Sequence, residues 1–316
     1  MEKIINKDPF LDQNTLEEMI QRKKRVETKN DERASNAQRD LLRSLPDHLK
    51  RLTLLNSERG ASIWLTTLPL LEMGFHLNKQ AFTDALCLRY DWPVQNMPSH
   101  CACGSANTIN HALICHKGGY VIKRHNEIRD LEAELLSEVC SDVTIEPRLL
   151  PLTGEAVMGI QSPDARLDVS AVGLWSPQER TFVDVRIFNP NCASYARKEP
   201  AQIYKQHENE KKNSYCDRVL QVERASFTPL IFSTTGGWGK EAKVFHARLC
   251  QLIADRKNQD LRDVTSFVRR RIRFSLIRTA ILTLRGTRTK RKNQENRIYR
   301  LADLDYNLID FGNPEE

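Results

Sequence analysis

Leu167-Asp168-Val169-Ser170-Ala171-Val172 and, after a loop holding Pro177, Thr181-Phe182-Val183-Asp184-Val185-Arg186-Ile187-Phe188 are the stretches whose reading decides the fold. Both are rich in β-branched and aromatic residues and alternate apolar with polar, the period of a β-strand. The loop from Trp175 to Arg180 predicts that they form an antiparallel hairpin. An aspartate sits inside each run, and an ionised carboxylate is costly in a β core unless a cation meets it. Asp184 and Arg186 lie two apart and so share one face, while Val183, Val185 and Ile187 take the other. The hairpin would bring Asp168 beside Asp184, and a divalent ion would resolve their repulsion. Magnesium takes oxygens from one or two carboxylates plus water and phosphate, the arrangement that activates water against a phosphodiester. The plainer alternative is an Asp-Arg salt bridge on a half-exposed sheet.

Working outward, Val143-Thr144-Ile145 and Thr228 to Phe232 read as two further strands, the latter ended by Thr235-Gly236-Gly237. Helical spacing marks Lys123 to Cys140, Pro200 to about Arg224, Lys240 to Lys257 and Leu261 to about Leu284. Upstream, Asn78 is placed to cap a helix over Lys79 to Tyr90. Residues 1–57 are polar and charged, which predicts a helical, partly disordered lead. The fold class is therefore α/β (α+β), with a helical N-terminal part and a helical, basic C-terminus. A composition of 40% hydrophobic and 28% charged residues over 316 positions fits a folded chain and excludes wholesale disorder. No apolar run approaches the ~20 residues of a membrane span, and Met1 to Lys7 carry no signal-peptide core. No membrane partner is expected.

The cysteines are unevenly placed. Of eight, Cys101, Cys103 and Cys115 cluster in the pattern Cys101-x-Cys103-x7-His111-x3-Cys115, with His100 and His116 beside it. Cys3His is a standard structural zinc set. Gly104 frees the backbone to turn behind the first two thiols, and a short helix puts His111 and Cys115 on one face. A segment this short cannot bury enough apolar surface to hold itself, so structural Zn2+ would supply its folding energy. The competing reading is a chance cluster of core cysteines.

Net charge is +7, and its distribution favours a polyanionic partner. From Arg269 to Arg300 twelve Lys or Arg face one acid, Glu295. Such a stretch releases counterions from nucleic acid, DNA more than RNA here, and Lys123, Arg124, Arg269, Arg270, Arg271 and Arg273 are the expected phosphate contacts. A nuclear location agrees with that charge. For the acidic hairpin a cation is also needed. Arg186 is on the right face but cannot act as a base, so it would be an electrostatic clamp. Lys198, Lys205, Lys211 and Lys212 lie on the following helix, and Lys205 in its first turns is the expected active-site lysine. Glu134, which shares a face with Glu138, is a candidate further carboxylate from the preceding helix.

The order Cys-x-Cys, His111, Cys115, then Lys123-Arg124-His125-Asn126, an Asp168 strand, an Asp184-x-Arg186 strand and a Tyr204-Lys205 helix resembles the C-terminal region of non-LTR (LINE-type) retrotransposon polyproteins. In them a zinc knuckle precedes a restriction-enzyme-like PD-(D/E)XK endonuclease, and residues 61–90, with Gly74-Phe75-His76-Leu77-Asn78-Lys79, are similar to their thumb-to-knuckle segment. The resemblance covers about residues 58–285. It implies a thumb-like segment at 58–100, the knuckle at 101–120, a nuclease core at 121–258 with a mixed sheet flanked by helices, and a basic region at 259–316. It further implies catalytic Mg2+ or Mn2+ on Asp168 and Asp184, with Lys205 or Arg186 as the basic residue and no small-molecule cofactor. Leu167 stands where the family has proline, Arg186 where it has lysine, and no reverse transcriptase motif is present. The implied function is a metal-dependent DNA endonuclease, with a non-catalytic nucleic-acid-binding protein as the alternative.

Overall fold

A computed structural model describes residues 13–286 and divides the chain into two units, Met1–Leu54 and Leu55–Glu316. The first holds α1 (Gln13–Ser44) and, after a break at Pro46, most of α2 (Asp47–Asn56), whose last two residues belong to the second. The described side chains of α1 are nearly all exposed, and ion pairs such as Asp40 with Arg43 at 3.5 Å contribute little. The expected disordered start, residues 1–12, lies outside the described residues.

The second unit continues with the short α3 (Ile63–Thr66) and with α4 (Lys79–Tyr90). Asn78 caps α4 by accepting from the Ala81 amide at 2.8 Å. The cysteine segment carries α5 (Ile109–Ile114), and α6 (Tyr120–Ser137) leads into β1 (Ser141–Ile145), β2 (Val169–Val172) and β3 (Arg180–Phe188). Then come α7 (Pro200–Arg218), a π-helical turn over Val219–Glu223, β4 (Ser226–Ser233), α8 (Lys240–Lys257) and α9 (Leu261–Arg285). The helix expected to reach Arg224 thus ends its α-helical part at Arg218.

The four strands lie in the order β1-β2-β3-β4. The hairpin forms as its alternation predicts: β2 and β3 are antiparallel, with Val169 opposite Val183 and Val172 opposite Arg180. β1 adds antiparallel to β2, while β4 runs parallel to β3, the crossover being α7. Pro229, opposite Asp184, is tolerated because β4 is an edge strand. Alternation along β3 separates two packed layers. Val183 and Val185 join Leu230, Phe232, Ile128, Leu135, Leu249 and Ile272 in the largest core, which seats α6, α8 and α9. Phe182 on the opposite face packs with Leu167, Val219 and Ala225, and Phe188 with Ile203, Tyr204 and Ile231, so α7 covers that side.

The helix expected to form a basic C-terminal region does not stand apart. Val264, Val268, Ile272, Leu276 and Ala280 recur at helical spacing along α9 and are all buried, which makes it a core helix despite its arginines. The basic positions from Arg288 to Arg300 lie outside the described residues.

Arg218, at the end of α7 and 0% exposed, ties the long β1–β2 connection to that helix. Its guanidinium donates to the carbonyls of Ser162 (2.7 Å), Leu150 (2.9 Å) and Ile160 (3.2 Å). The Met158 amide donates to Asp217 at 2.6 Å beside it. Since the connection ends at Asp168, its anchoring fixes how that carboxylate enters β2. Arg218→Met fills much of the same volume but strands three carbonyls. It is expected to cost about 3–5 kcal/mol in chemical denaturation, against under ~1 kcal/mol for a like change at exposed Arg224.

Candidate metal centre and active site

The cysteine segment folds through local bonds. The Gly104 amide donates to the Cys101 carbonyl at 2.8 Å, with Gly104 in the left-handed region at φ +91°, and the Cys101 amide donates to the Ser105 carbonyl at 2.9 Å. Thr108 caps α5 by accepting from the His111 amide at 3.1 Å, and the Cys115 amide donates to the His111 carbonyl at 2.9 Å. One helical turn therefore presents His111 and Cys115 together. The donor atoms of Cys101, Cys103, His111 and Cys115 all lie within 4.8 Å of one another. Cys101 Sγ is 3.7 Å from Cys115 Sγ, close to the ~3.8 Å edge of a tetrahedron with 2.3 Å metal–sulfur bonds. His111 Nε2 is 3.2 Å from Cys103 Sγ. These residues fit, and could hold, a metal ion such as zinc. Hydrogen bonds from the side chain and backbone of Ser105 bring the Cys103 thiol down to about 6, whereas burial pushes Cys115 up. His100 and His116 stay outside the set. Buried Arg124 docks the segment by donating to the Leu113 carbonyl at 3.1 Å, and Asn189 Nδ2 donates to Asn110 Oδ1 at 3.0 Å.

On the α7 face of the sheet, Asp168 at the entry of β2 meets Asp184 in mid-β3. Their side chains are 13% and 8% exposed, so both carboxylates need compensation from the protein. Asp168 is held from three directions. Its backbone amide donates to the Val183 carbonyl at 3.2 Å, Oδ2 accepts from the Val185 amide at 2.5 Å, and Oδ1 lies 2.8 Å from His125 Nε2. Burial works to raise this carboxyl. The hydrogen bond and charge of His125, with contributions from Asp184 and the Val185 amide, outweigh it and hold the group below its ordinary value. Asp184 goes the other way. Burial, then the charge of Asp168, lift it to about 7 although Lys211 pulls it down. Lys211 Nζ is 2.5 Å from Asp184 Oδ2, an ion pair, yet that oxygen accepts no well-aligned hydrogen bond.

Several expected residues are placed elsewhere. Lys205 is exposed on α7, and Lys211 occupies the position against the carboxylates. Tyr204, His207, Glu208, Lys211, Tyr215 and Arg218 form the sheet-facing stripe of α7 at spacings of three and four, and Lys205 lies off it. That spacing was the available signal. Arg186 shares the face of Asp184 but pairs with Glu210 at 2.7 Å, which also lies 3.2 Å from His207 Nδ1. Glu134 points away from the dyad: it is exposed and pairs with Arg271 at 2.8 Å, and Glu138 pairs with Lys257. The side chain that α6 supplies is His125.

The expected phosphate contacts divide as well. Arg124 and Arg273 are buried, Arg273 donating to the Ala61 and Thr234 carbonyls at 2.9 and 3.5 Å, so neither can reach a phosphate. Arg270 is partly buried and Arg271 is taken by Glu134. Arg269 sits over the Trp238 ring at 5.7 Å, and Lys123, exposed, over the Tyr120 ring at 5.4 Å. Among the described residues no helix is long and apolar enough to cross a membrane. No protein family matches this sequence, and no curated protein matches it.

Proposed function

We propose that the chain is a metal-dependent DNA endonuclease in which Asp168 and Asp184 hold a magnesium or manganese ion and Lys211 is the active-site lysine. The observation that carries this reading is the pair of carboxylates brought together from adjacent strands, Asp184 buried and Asp168 partly so, with Asp184 lifted to about 7. Such a pair is destabilising without a cation, and strongly perturbed carboxyls of this kind concentrate at functional sites. A bound divalent ion would supply Lewis-acid activation of water and neutralise charge on the phosphate. The protein's own groups have definite tasks. His125 and the Val185 amide fix the rotation of the Asp168 carboxylate. Lys211 favours the ionised form of Asp184, and with a divalent ion on Asp184 its ammonium would be placed to hold a phosphate oxygen. The zinc of the cysteine cluster is structural in this reading, because four protein ligands leave no open position. The net charge of +7 and the resemblance in motif order support a nucleic-acid substrate, DNA in preference to RNA, and a nuclear site of action.

One observation favours a second reading. The Lys211–Asp184 pair at 2.5 Å can be a closed structural ion pair, leaving a non-catalytic nucleic-acid-binding protein. Nicking of supercoiled plasmid decides between them. Wild type is expected to nick in Mg2+ or Mn2+ and not with a chelator. Lys211→Ala is expected to lower the rate by about 10²–10³-fold, while Lys205→Ala, at an exposed position, leaves it within about twofold. A wild type that retards DNA but cuts no faster than Lys211→Ala would end the catalytic reading and keep the second.

A further inference from the structure

A recess of about 270 Å³ opens between α8 and α9, on the side of the sheet away from Asp184. Arg59, Lys243 and Arg269 line it, with Trp238, His246 and Thr265 among the other walls, and no carboxylate does. Elsewhere in this chain Arg129, Arg285, Lys212 and Arg271 each meet a carboxylate, and Arg248 donates to the Leu174 carbonyl. Here, among the described residues, none of the three cations makes an ion pair. Glu58 feels the charge of Lys243 but accepts a hydrogen bond from Tyr204 at 2.9 Å, and neither it nor Glu132 lines the recess.

Arg269 is held in place on two sides. Its guanidinium lies over Trp238, and Gly60, at φ +92°, lets the backbone press against its stem, since a Cβ there would come within 2.7 Å of Arg269 Cδ. Burial, and then the charge of Arg59, bring the Arg269 guanidinium below its ordinary value, so the two arginines repel one another across the opening. His246 is a wall and not a ligand. Its Nδ1 is 2.6 Å from the Ala242 carbonyl and its Nε2 is 3.0 Å from Glu132. Cys250, with its thiol pushed up to about 11 by burial, is no nucleophile.

We infer that this recess is an anion site that takes a phosphate group, gripped by Arg59 and Arg269 with Lys243 as the third cation. Three positive charges exceed what a single carboxylate would neutralise and suit a phosphate dianion, whose oxygens match the fork of a guanidinium. The volume admits a phosphate or diphosphate with water and excludes a duplex. Because the sheet separates it from Asp168 and Asp184, the site stands whether or not the chain cleaves nucleic acid.

The test is titration calorimetry of the full chain with inorganic phosphate and pyrophosphate, at ionic strength held constant with chloride. Saturable binding to one site with Kd below about 1 mM is expected. Arg59→Gln and Lys243→Gln, both at exposed positions, should each weaken it about tenfold or more without moving the melting temperature measured in chloride alone. Asp184→Asn should leave it unchanged. A short oligonucleotide, with and without a 5′-phosphate, separates the sources. Tighter binding of the phosphorylated strand than of pyrophosphate, with the same sensitivity to Arg59 and Lys243, assigns the site to a polynucleotide end, and equal or weaker binding assigns it to free phosphate. Failure to saturate, or equal binding by wild type and both variants, overturns the inference.

Discussion

Removing the metal from the cysteine cluster is expected to unfold residues 99–119 while leaving the four-stranded sheet intact. The protein as purified should carry about one zinc per chain, measured by mass spectrometry of the metal, and Cys115→Ser should carry none. The size of the effect follows from how little else holds the segment. Its buried apolar residues amount to Cys101, Ala112, Leu113 and Cys115, and two of these are the donors themselves. Against that, structural zinc contributes roughly 10–16 kcal/mol of apparent binding free energy in isolated fingers near neutral pH. Two hydrogen bonds that tie the segment to the rest of the chain, Arg124 to the Leu113 carbonyl and Asn189 to Asn110, are each worth about 1–3 kcal/mol and do not match the contribution of the metal. Limited proteolysis should therefore cut between Cys101 and Lys117 only after chelation, and the sheet core should keep its melting transition. Identical protease resistance with and without chelator, in protein free of zinc, would mean that the four side chains are an ordinary core cluster.

The cysteine cluster was legible because it is local: its four donors span fifteen positions, and one knuckle plus one helical turn fix their relation. The acidic hairpin was legible for a similar reason, since alternation sets the face of Asp184 and the loop sets its neighbour. What sequence reasoning missed is tertiary. His125 reaches Asp168 across 43 positions, and nothing in the spacing of α6 sets it above Glu134. Lys211 was passed over because the stripe that faces the sheet on α7 is made of Tyr, His, Glu, Lys and Arg, so hydropathy does not mark it. In α9 the run Arg269-Arg270-Arg271 drew attention from the apolar residues one turn to either side. Polar residues buried through specific partners are read from periodicity alone only when their burial is already suspected.

Asp184→Asn is expected to abolish metal-dependent nicking, by about 10³-fold or more, and at the same time to make the protein more stable. The two effects share one cause. A carboxylate at 184 is buried against a second carboxylate, and its carboxyl group stands at about 7 against an ordinary 3.8. The folded chain thus holds this proton more tightly than the unfolded one. Below pH ~4 both states are protonated and Asp184 costs nothing; between ~4 and ~7 the unfolded state ionises first, so stability falls as pH rises; above ~7 both are ionised and the full penalty remains. Asp168, held below its ordinary value, has the opposite sign: its contribution is present above ~4 and is lost as pH drops further. Asparagine at 184 removes the first effect. It also leaves Lys211 unpaired, but that side chain is 22% exposed and can turn toward solvent, so the smaller loss does not cancel the gain. Denaturant titrations should show the variant more stable by about 1–3 kcal/mol at pH 8, with the difference shrinking toward zero near pH 4. In wild type, nicking should rise with pH toward ~7 as Asp184 ionises, and higher magnesium should shift that rise to lower pH by competing with the proton. A variant that is less stable at pH 8 yet still cuts would mean that Asp184 is a structural partner of Lys211, and that the carboxylate pair has no part in the chemistry.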